Sequence, residues 1–234
     1  MIQPVIHRFD EVGSTNDIAA ELAREGASEG TVVTALLQAK GRGRRGRQWH
    51  ALPGESALVS VVLRPALPLN QFHQLAFAAA VAVGECLEDC GVRPELKWPN
   101  DVLVDDKKIC GILVETAGNA AVVGIGINVK QTDFPLGLDA QATSIALCGG
   151  NCLDVDEITD MLLQHLFSVY SQPFEEILGR WRKYMWGIGR RVNIVTEGET
   201  VSGTISGVDN DGALLLDDGQ RRIVSAETIK VLRI

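Results

Sequence analysis

The apolar positions in the first half of the chain fall into short runs separated by polar turns. Runs rich in valine, isoleucine, leucine and threonine are typical of buried strands. Glycine, proline, asparagine or aspartate follow most of these runs and indicate turns. The pattern predicts a strand that starts at Leu96, a tight hairpin at residues 105–108, and further strands at residues 5–9, 31–37, 56–63, 102–104, 109–115 and 120–129.

Three other segments carry the spacing or the capping residues of helices. Residues 14–17 supply N-capping side chains, and Gly91 is a typical stop signal. These features predict helices over residues 14–26, 70–89 and 154–184, the last of them capped by Asp154 or Asp156 and broken near Pro173. Residues 130–150 are expected to form a loop with short turns.

The composition changes at residues 187–189, which read Gly-Ile-Gly. From Arg190 onward, short alternating segments are separated by three turn signals that contain glycine. Closely spaced turns of this kind predict a small antiparallel barrel. Strands grouped apart from helices make the larger part α+β, with a mixed or antiparallel sheet. We therefore predict two domains, residues 1–187 and residues 188–234.

Positive charge is concentrated in one short segment of an acidic chain. The chain has 22 basic and 30 acidic residues, yet five cations lie within eight positions, interleaved with glycines: Lys40, Arg42, Arg44, Arg45 and Arg47. Arginines bind phosphate through paired N–H groups, and glycines let the backbone approach a ligand closely. We expect this Arg/Gly loop (residues 38–49) to close over a small polyanion, because a nucleic acid requires a wider basic surface.

The Arg/Gly loop formally matches the G-x-G-x-x-G pattern of dinucleotide-binding turns. Its context argues against that function, because Arg47-Gln48-Trp49-His50 follows where a helix should begin. No acidic residue lies about 20 positions further on, where a ribose contact belongs. The sequence also lacks a Walker-type phosphate loop and a G-x-S-x-G motif. Nothing in it indicates a protein nucleophile, so the substrate itself is expected to be the nucleophile.

Two further polar clusters interrupt apolar strands. The 97–101 motif, Lys-Trp-Pro-Asn-Asp, suits phosphate and a bound Mg²⁺, but equally a surface ion pair. Only one of Lys107 and Lys108 can face a site, because neighbouring strand residues point to opposite faces. The alternative is that both lysines are solvated. Glycines inside the apolar strands indicate close approach by another backbone or a flat ligand: Gly111, Gly124 and Gly126.

The composition argues against several other classes of protein. The N-terminus lacks the apolar run of a signal peptide, and no stretch approaches the roughly 18 apolar residues of a membrane span. Five cysteines without a C-x-x-C spacing favour reduced thiols. With only four scattered histidines, a zinc site is not expected. We therefore expect a cytoplasmic protein that does not bind membranes.

Taken in order, five segments resemble those of biotin protein ligases, which adenylate biotin and transfer it to a lysine of a carboxylase carrier domain. The segments are Ser14-Thr15-Asn16, Gln38 with the Arg/Gly loop, and residues 97–101, 108–115 and 124–128. Each one is weak alone, but five in the same order are specific to the family. The resemblance implies a class II aminoacyl-tRNA synthetase-like catalytic domain, and the predicted barrel suits the family's SH3-like C-terminal domain.

The resemblance also implies roles for individual residues. The biotin pocket would be formed by Ser14, Thr15, Asn16, Gln38, Arg42, Gly43, Arg44, Lys108 and Gly111. ATP would be bound by Arg44, Arg47, Lys97, Asn100, Asp101 and Asn128. The catalytic residues would be Lys108, Arg44 and Arg42. No motif for a metal site is present, although Asp101 would contact the Mg²⁺ that accompanies ATP.

The implied reaction forms biotinyl-5′-AMP from the substrates biotin and ATP, with Mg²⁺, and transfers biotin to the biotin carboxyl carrier protein domain of acetyl-CoA carboxylase. Regulatory members carry a DNA-binding domain before the catalytic one, and about a dozen residues before Ser14 are too few for it, so DNA binding is not expected. The family resemblance also makes a homodimer an expectation. Two alternatives stay open: a lipoate or octanoate protein ligase of the same fold, and a nucleic-acid-binding module that uses the Arg/Gly loop.

Overall fold

The computed structural model of the protein describes residues 2–135, 137 and 141–232. The larger of two sheets within these residues has seven strands: β1 (Val5–Val12), β2 (Thr31–Gln38), β3 (Ser56–Leu63), β4 (Glu95–Lys97), β5 (Asp101–Val104), β6 (Lys107–Ala117) and β7 (Ala120–Asn128). Their order is β1-β2-β3-β7-β6-β5-β4. The β1–β2 pair is parallel, and the other neighbours are antiparallel. The sheet is therefore mixed, as predicted.

Four α-helices cover the two faces of this sheet unequally. Helix α1 packs on one face, helices α2 and α3 pack on the other, and α4 packs against α2. Their bounds are α1 (Thr15–Arg24), α2 (Gln74–Asp89), α3 (Val155–Tyr170) and α4 (Phe174–Lys183). The main hydrophobic core lies under α2–α4, and a smaller cluster lies under α1. In the described part of the chain, no helix combines the length and the apolar character that a membrane span requires.

The alternation of side chains along β7 explains where an open surface remains. Val123 and Ile125 belong to the core under α2–α4, whereas Val122 belongs to the cluster under α1. Because strand residues alternate between faces, Gly124 and Gly126 lie on the α1 side, beyond the end of that cluster. Glycines at these positions leave the α1 side of the sheet without side-chain cover.

A second sheet of five antiparallel strands forms the C-terminal part. The strands are β8 (Arg191–Val195), β9 (Thr200–Val208), β10 (Leu214–Leu216), β11 (Arg221–Ile223) and β12 (Thr228–Val231), in the order β11-β10-β9-β8-β12. Ile194 and Leu214 belong to the same core cluster as residues of the larger sheet. Trp98 Nε1 donates a hydrogen bond of 2.9 Å to the carbonyl of Gly212, in the β9–β10 turn. The two sheets therefore share one core.

Two of the predicted helices differ from the structure at their ends. The predicted helix over residues 70–89 is a 3₁₀ turn, Leu69–Gln71, followed by α2 from Gln74. Bonds between residues three positions apart tighten this region, so regular α-helix begins later than the apolar pattern indicates. Ser14 occupies the N-cap position of α1, but its side chain makes no capping hydrogen bond. Ser14 instead lines a cavity.

The predicted helix break, helix cap and hairpin agree with the structure. The long C-terminal helical segment is broken into α3 and α4, with Pro173 as the N-cap residue of α4. Asp154 caps α3, because its Oδ1 accepts hydrogen bonds from the backbone N–H groups of Asp156 and Glu157 at 2.9 and 3.0 Å. The β5–β6 hairpin turns at two aspartates with positive φ, as a tight hairpin requires. Part of the predicted loop at 130–150 lies outside the described residues.

Candidate active site

A cavity of about 410 Å³ opens on the α1 side of the larger sheet. It is lined by every residue that the sequence predicts to be in a site: Ser14, Thr15, Asn16, Gln38, Arg42, Gly43, Arg44, Arg47, Lys97, Asn100, Asp101, Lys108, Gly111 and Asn128. Residues 226–230 of the C-terminal part also contribute to its wall. Segments far apart in the chain therefore converge on one cavity.

The floor of the cavity consists of glycines on neighbouring strands, covered by an indole. Gly111 on β6 pairs directly with Gly126 on β7. A Cβ atom at Gly126 would lie 2.7 Å from Cε2 of Trp49, and one at Gly111 would lie 3.0 Å from Cζ3. The sequence predicted that another backbone or a flat ligand approaches these glycines, and in this structure the side chain of Trp49 lies there. Sequence reasoning assigned no role to Trp49, although the paired glycines are a signal for such a contact.

A buried polar network fixes the start of α1 at the edge of the cavity. The backbone N–H and hydroxyl of Thr15 donate to Oε1 of Gln38 at 2.8 and 3.0 Å. Asn16 donates from Nδ2 to Glu115 at 2.7 Å, and its Oδ1 accepts from the Ser60 hydroxyl at 2.6 Å. Since Oε1 of Gln38 already accepts two hydrogen bonds, its Nε2 amide is the part that can serve an acceptor on a ligand.

Two members of this network were missed by sequence reasoning. Ser60 is fully buried on β3, and Glu115 on β6 lies within the 108–115 motif but received no role. The sequence did contain a signal for both residues, because each is a polar residue in an otherwise apolar strand. A buried polar residue needs a hydrogen-bond partner. That partner is Asn16 for both residues. The identity of the partner depends on chain segments that are separated by 44 and 99 positions.

Asn128 leaves one polar atom available at the far end of the cavity. Its side chain is 3% exposed, and its Nδ2 donates to the carbonyl of Thr143 at 2.9 Å. Its Oδ1 is buried and has no hydrogen-bond partner among the described residues. A buried acceptor without a partner is costly unless a ligand supplies a donor. The amide of Asn128 is therefore suited to an N–H group.

Arg42 lies among carboxylates. Its guanidinium forms ion pairs with Asp17 at 2.6 Å and with Glu115 at 3.3 Å. The hydrogen bond to Asp17 is the main cause that raises the pKa of Arg42. Two negative charges compensate this arginine, so it anchors the start of the Arg/Gly loop to α1 and β6.

Arg44 is a half-buried loop arginine whose hydrogen bond goes to a neutral amide. It donates to Oδ1 of Asn100 at 3.2 Å, and burial lowers its pKa. Neighbouring Arg45 lowers this pKa further, whereas Asp101 opposes the shift. A partly desolvated guanidinium near two other cations is stabilised by an incoming anion. Arg44 is thus the loop arginine best placed to bind one.

The remaining loop arginines reach the C-terminal sheet. Arg45 forms ion pairs with Glu227 at 2.7 Å and with Glu197 at 3.0 Å. Arg47 donates to the carbonyl of Glu227. Arg45 itself has a φ of 56° in the short 3₁₀ turn of the loop. These contacts hold the loop across the cavity.

Two lysines and an aspartate form a charged cluster opposite the loop. Lys108 Nζ lies 2.6 Å from Oδ1 of Asp101, whereas Lys107 is exposed and does not line the cavity. One of the two adjacent lysines therefore faces the site, as strand alternation predicted. Lys97 donates instead to the carbonyl of Ile229 at 3.2 Å. Burial is the main cause that lowers the pKa of Lys97, and nearby Lys108 adds to it, whereas Asp101 raises it.

The residues around the cavity define a class of protein. A cationic loop and two lysines converge on one cavity, beside a flat glycine floor and a network of amides and hydroxyls. Such a cavity suits an enzyme that joins an anionic, flat small molecule to a phosphate-containing one. In the described ranges, 2–135, 137 and 141–232, no group of three or more His, Cys, Asp or Glu side chains could hold a metal ion.

Comparison with known proteins assigns the family. Residues 9–131 match the biotin/lipoate A/B protein ligase family, and residues 187–231 match the biotin protein ligase C-terminal domain. The chain therefore belongs to the biotin protein ligase family.

Similar proteins span nearly the whole chain. The bifunctional ligase/repressor BirA of Bacillus subtilis is 36% identical over 236 residues, which cover 93% of this chain and 71% of that protein. The biotin–[acetyl-CoA-carboxylase] ligase of Paracoccus denitrificans is 34% identical, with 92% and 95% covered. Among solved structures, the biotin protein ligase of Aquifex aeolicus in complex with biotin and ATP superposes with a TM-score of 0.84 at 30% identity, covering 98% of this chain and 99% of that one.

Proposed function

We propose that the protein is an ATP-dependent ligase that activates biotin as biotinyl-5′-AMP and transfers it to a lysine of the biotin carboxyl carrier protein domain of acetyl-CoA carboxylase. One observation carries the proposal: all predicted site residues line a single cavity in a chain of this family. The relatives named above include a biotin–[acetyl-CoA-carboxylase] ligase, and the Aquifex structure contains both biotin and ATP.

Biotin is assigned to the end of the cavity nearest α1. Its ureido ring needs both donors and acceptors, which Ser14, Thr15, Asn16 and Gln38 provide around the start of the helix. The fused rings lie near Trp49 and the floor formed by Gly111 and its partner strand. The backbone of Gly43 belongs to the same wall. Arg42 supports this end by anchoring the loop to two carboxylates.

The first step brings two anions together. The carboxylate of biotin attacks the α-phosphorus of ATP, and pyrophosphate leaves, so negative charge repels negative charge along the reaction path. Lys108 and Arg44 offset this repulsion and stabilise the charge that develops in the transition state. By comparison with a lost oxyanion donor, each contact contributes roughly 2–4 kcal/mol. Arg47 and Lys97 add positive charge on the phosphate side.

The nucleotide occupies the end of the cavity near β5 and β7. Asn100 positions Arg44, and the unpartnered oxygen of Asn128 accepts from the amino group of adenine. The carboxylate of Asp101 lines this region, which fits Mg²⁺ because that ion is usually held by one or two carboxylates plus substrate phosphates. When bound, Mg²⁺ neutralises phosphate charge. Asp101 would be the protein ligand of this ion. In this structure, the carboxylate of Asp101 forms an ion pair with Lys108.

In the second step the acceptor lysine displaces AMP from the mixed anhydride. The loop contacts to Glu197 and Glu227 keep the cavity covered, which limits attack by water. We assign the large part, residues 1–187, a class II synthetase-like architecture, and residues 188–234 an SH3-like domain, on the basis of family membership. A cytoplasmic location and a homodimer are part of the same proposal. All five cysteines are free, as a reducing compartment favours.

The nucleic-acid alternative loses its main support in the structure. Two of the loop cations, Arg42 and Arg45, form ion pairs with carboxylates of the chain, as described above. Cations that are already compensated contribute little to binding of a phosphate backbone. The loop is therefore suited to one small ligand at Arg44 and not to a long polyanion.

The experiment is biotin-dependent ATP–pyrophosphate exchange with Lys108→Ala and Lys107→Ala. We expect Lys108→Ala to lower kcat/KM by about 100-fold or more, because it removes the charge that faces the reacting anions. Lys107→Ala, a neighbour that points to solvent, controls for loss of one positive charge. Equal activity of both variants would contradict the assigned role of Lys108. Exchange that depends on lipoate or octanoate, and not on biotin, would replace the proposed substrate.

A further inference from the structure

A buried tryptophan lies against the amine of Lys97 at the boundary between the two sheets. Lys97 Nζ is 4.7 Å from the centre of the Trp186 ring, and Trp186 is 4% exposed. Trp186 lies between α4 and β8, where the chain passes into the C-terminal sheet. Trp186 is outside every motif that pointed to the site, and it does not line the cavity.

The plane of this indole is fixed by the β5–β6 turn. Trp186 Nε1 donates to Oδ1 of Asp106 at 2.6 Å. Arg190 lies 5.1 Å from the same ring and pairs with the same carboxylate oxygen at 2.7 Å. The backbone of Asp106 has a φ of 63°. The tight turn therefore fixes the position of its carboxylate. One carboxylate thus holds both the N–H of the indole and the second cation that contacts its ring.

Lys97 depends on these contacts because it forms no ion pair among the described residues and the neighbouring carboxylate of Asp101 is paired with Lys108. Asp101 lies 2.6 Å from Lys108, and the remaining hydrogen bond of Lys97 goes to the carbonyl of Ile229. A lysine amine sits on a flexible four-carbon chain. The face of a tryptophan attracts such a cation most strongly when the contact is desolvated. The ring and the carbonyl together restrict the amine to the cavity wall.

We infer that Trp186 is a positioning residue for ATP, which holds the Lys97 amine towards the phosphates while Asp106 fixes the orientation of the indole. The inference rests on the proposed function, in which Lys97 contacts the phosphates of ATP. It also gives the C-terminal part a direct link to catalysis, because Trp186 and Arg190 flank the start of that part. A change in how this part packs would alter the position of one phosphate ligand.

The test compares Trp186→Leu and Trp186→Phe in the full chain, using biotin-dependent ATP–pyrophosphate exchange. Trp186→Leu removes the π face, and we expect KM for ATP to rise about tenfold. Trp186→Phe keeps a ring but loses the bond to Asp106, so a smaller rise of about threefold is expected. KM for biotin should change less than about twofold in both, because biotin binds at the other end of the cavity.

Trp181→Phe is the matched control, since Trp181 is equally buried but packs against Phe77 at 5.0 Å and contacts no cation. Its KM for ATP should equal that of the unmodified chain. A general loss of packing would instead raise KM, or lower kcat, in all three variants alike. If Trp186→Leu does not fold by circular dichroism, Trp186→Phe and Asp106→Asn provide the same comparison, and Asp106→Asn should also raise KM for ATP.

A double-mutant cycle with Lys97→Met shows whether Trp186 acts through Lys97. In the Lys97→Met background, Trp186→Leu should add no further increase in KM for ATP, because the amine that it positions is gone. An equal increase in both backgrounds would overturn the inference. Absence of biotin-dependent exchange in the unmodified chain would reject the proposed function itself. A different outcome would reject the inference alone. In it, the unmodified chain shows normal exchange, Lys97→Met weakens that exchange, and Trp186→Leu leaves it unchanged.

Discussion

A single missing side chain allows the polar network at the start of α1 to form. A Cβ atom at Gly124 would lie 2.2 Å from Oδ1 of Asn16, a separation that real Cβ atoms do not adopt. Asn16 in turn bridges Ser60 and Glu115, which come from two different strands. The glycine is therefore required by its contact with Asn16 of α1 and not by its backbone conformation. Asn16 can occupy its place only because residue 124 lacks a side chain.

We expect Gly124→Ala to raise KM for biotin by at least tenfold, because Asn16 must move and break its bonds to both partners. Overpacking of this kind costs about 1–3 kcal/mol. Biotin-dependent exchange gives KM, and urea unfolding gives the change in stability. Gly179→Ala is the control, because a Cβ atom in this position of α4 meets nothing within 4 Å. That variant should keep KM and gain about 0.5–1 kcal/mol from helix propensity; a normal KM in Gly124→Ala would contradict the packing argument.

At the scale of elements, the Arg/Gly loop connects three parts of the molecule. Arg42 ties it to α1 and β6, Arg44 to the β4–β5 turn at Asn100, and Arg45 to the C-terminal sheet. Its sequence predicts a cationic lid, but not which cation is compensated and by which carboxylate. Those partners come from segments that only the fold brings close. Arg44 differs from Arg42 and Arg45 because its contact is a neutral amide and because burial lowers its pKa.

Arg44→Gly is expected to release the activated intermediate, because this arginine combines charge with closure of the loop. Unrelated proteins incubated with the variant, biotin and ATP should then be labelled several-fold more than with the unmodified chain, since free adenylate reacts with exposed lysines. Lys40→Gly makes the same change in charge at an exposed residue outside the cavity and serves as the control. Labelling by Arg44→Gly at the level of the control would show that this arginine does not retain the adenylate.

At the scale of the whole molecule, we expect the two sheets to unfold as one cooperative unit, because they share one hydrophobic core. The β9–β10 turn packs on α2, where a Cβ atom at Gly212 would lie 2.9 Å from the ring of Phe77. The carbonyl of the same glycine accepts from Trp98, next to Lys97. Residues of both sheets belong to a continuous hydrophobic core. Unfolding of one sheet therefore exposes apolar surface of the other.

The comparison of Gly212→Ala with Gly219→Ala measures this packing. Both glycines have nearly the same φ, 84° and 85°, but a Cβ atom at Gly219 meets nothing within 4 Å. The two variants share a backbone strain of about 1–2 kcal/mol. Gly212→Ala should lose about 1–3 kcal/mol more, because it also collides with Phe77. Urea unfolding followed by tryptophan fluorescence and by circular dichroism checks this, and equal losses in both variants would mean that the turn does not depend on Phe77.

The sequence predicts the elements well where local rules decide them. The strand at 56–63 and the cap at Asp154 agree with the structure, because a continuous apolar run and a capping side chain act over a few neighbouring residues. The start of α2 was predicted too early, since apolar residues in a 3₁₀ turn carry the same pattern. The grouping of strands and helices left a mixed or an antiparallel sheet open, and the parallel β1–β2 pair makes the sheet mixed.

The amino-acid sequence by itself determined the resemblance to one family, because five separate motifs occur in that family's order, and each motif contributes residues to the lining of the cavity. It could not assign Ser60, Trp49 or Trp186, which carry no motif and act only through neighbours from distant segments. The tertiary structure alone decided that Lys108 pairs with Asp101 while Lys97 lies on an indole. The physical reason is that ion pairs and ring contacts act over a few ångströms, and only the folded chain sets those distances.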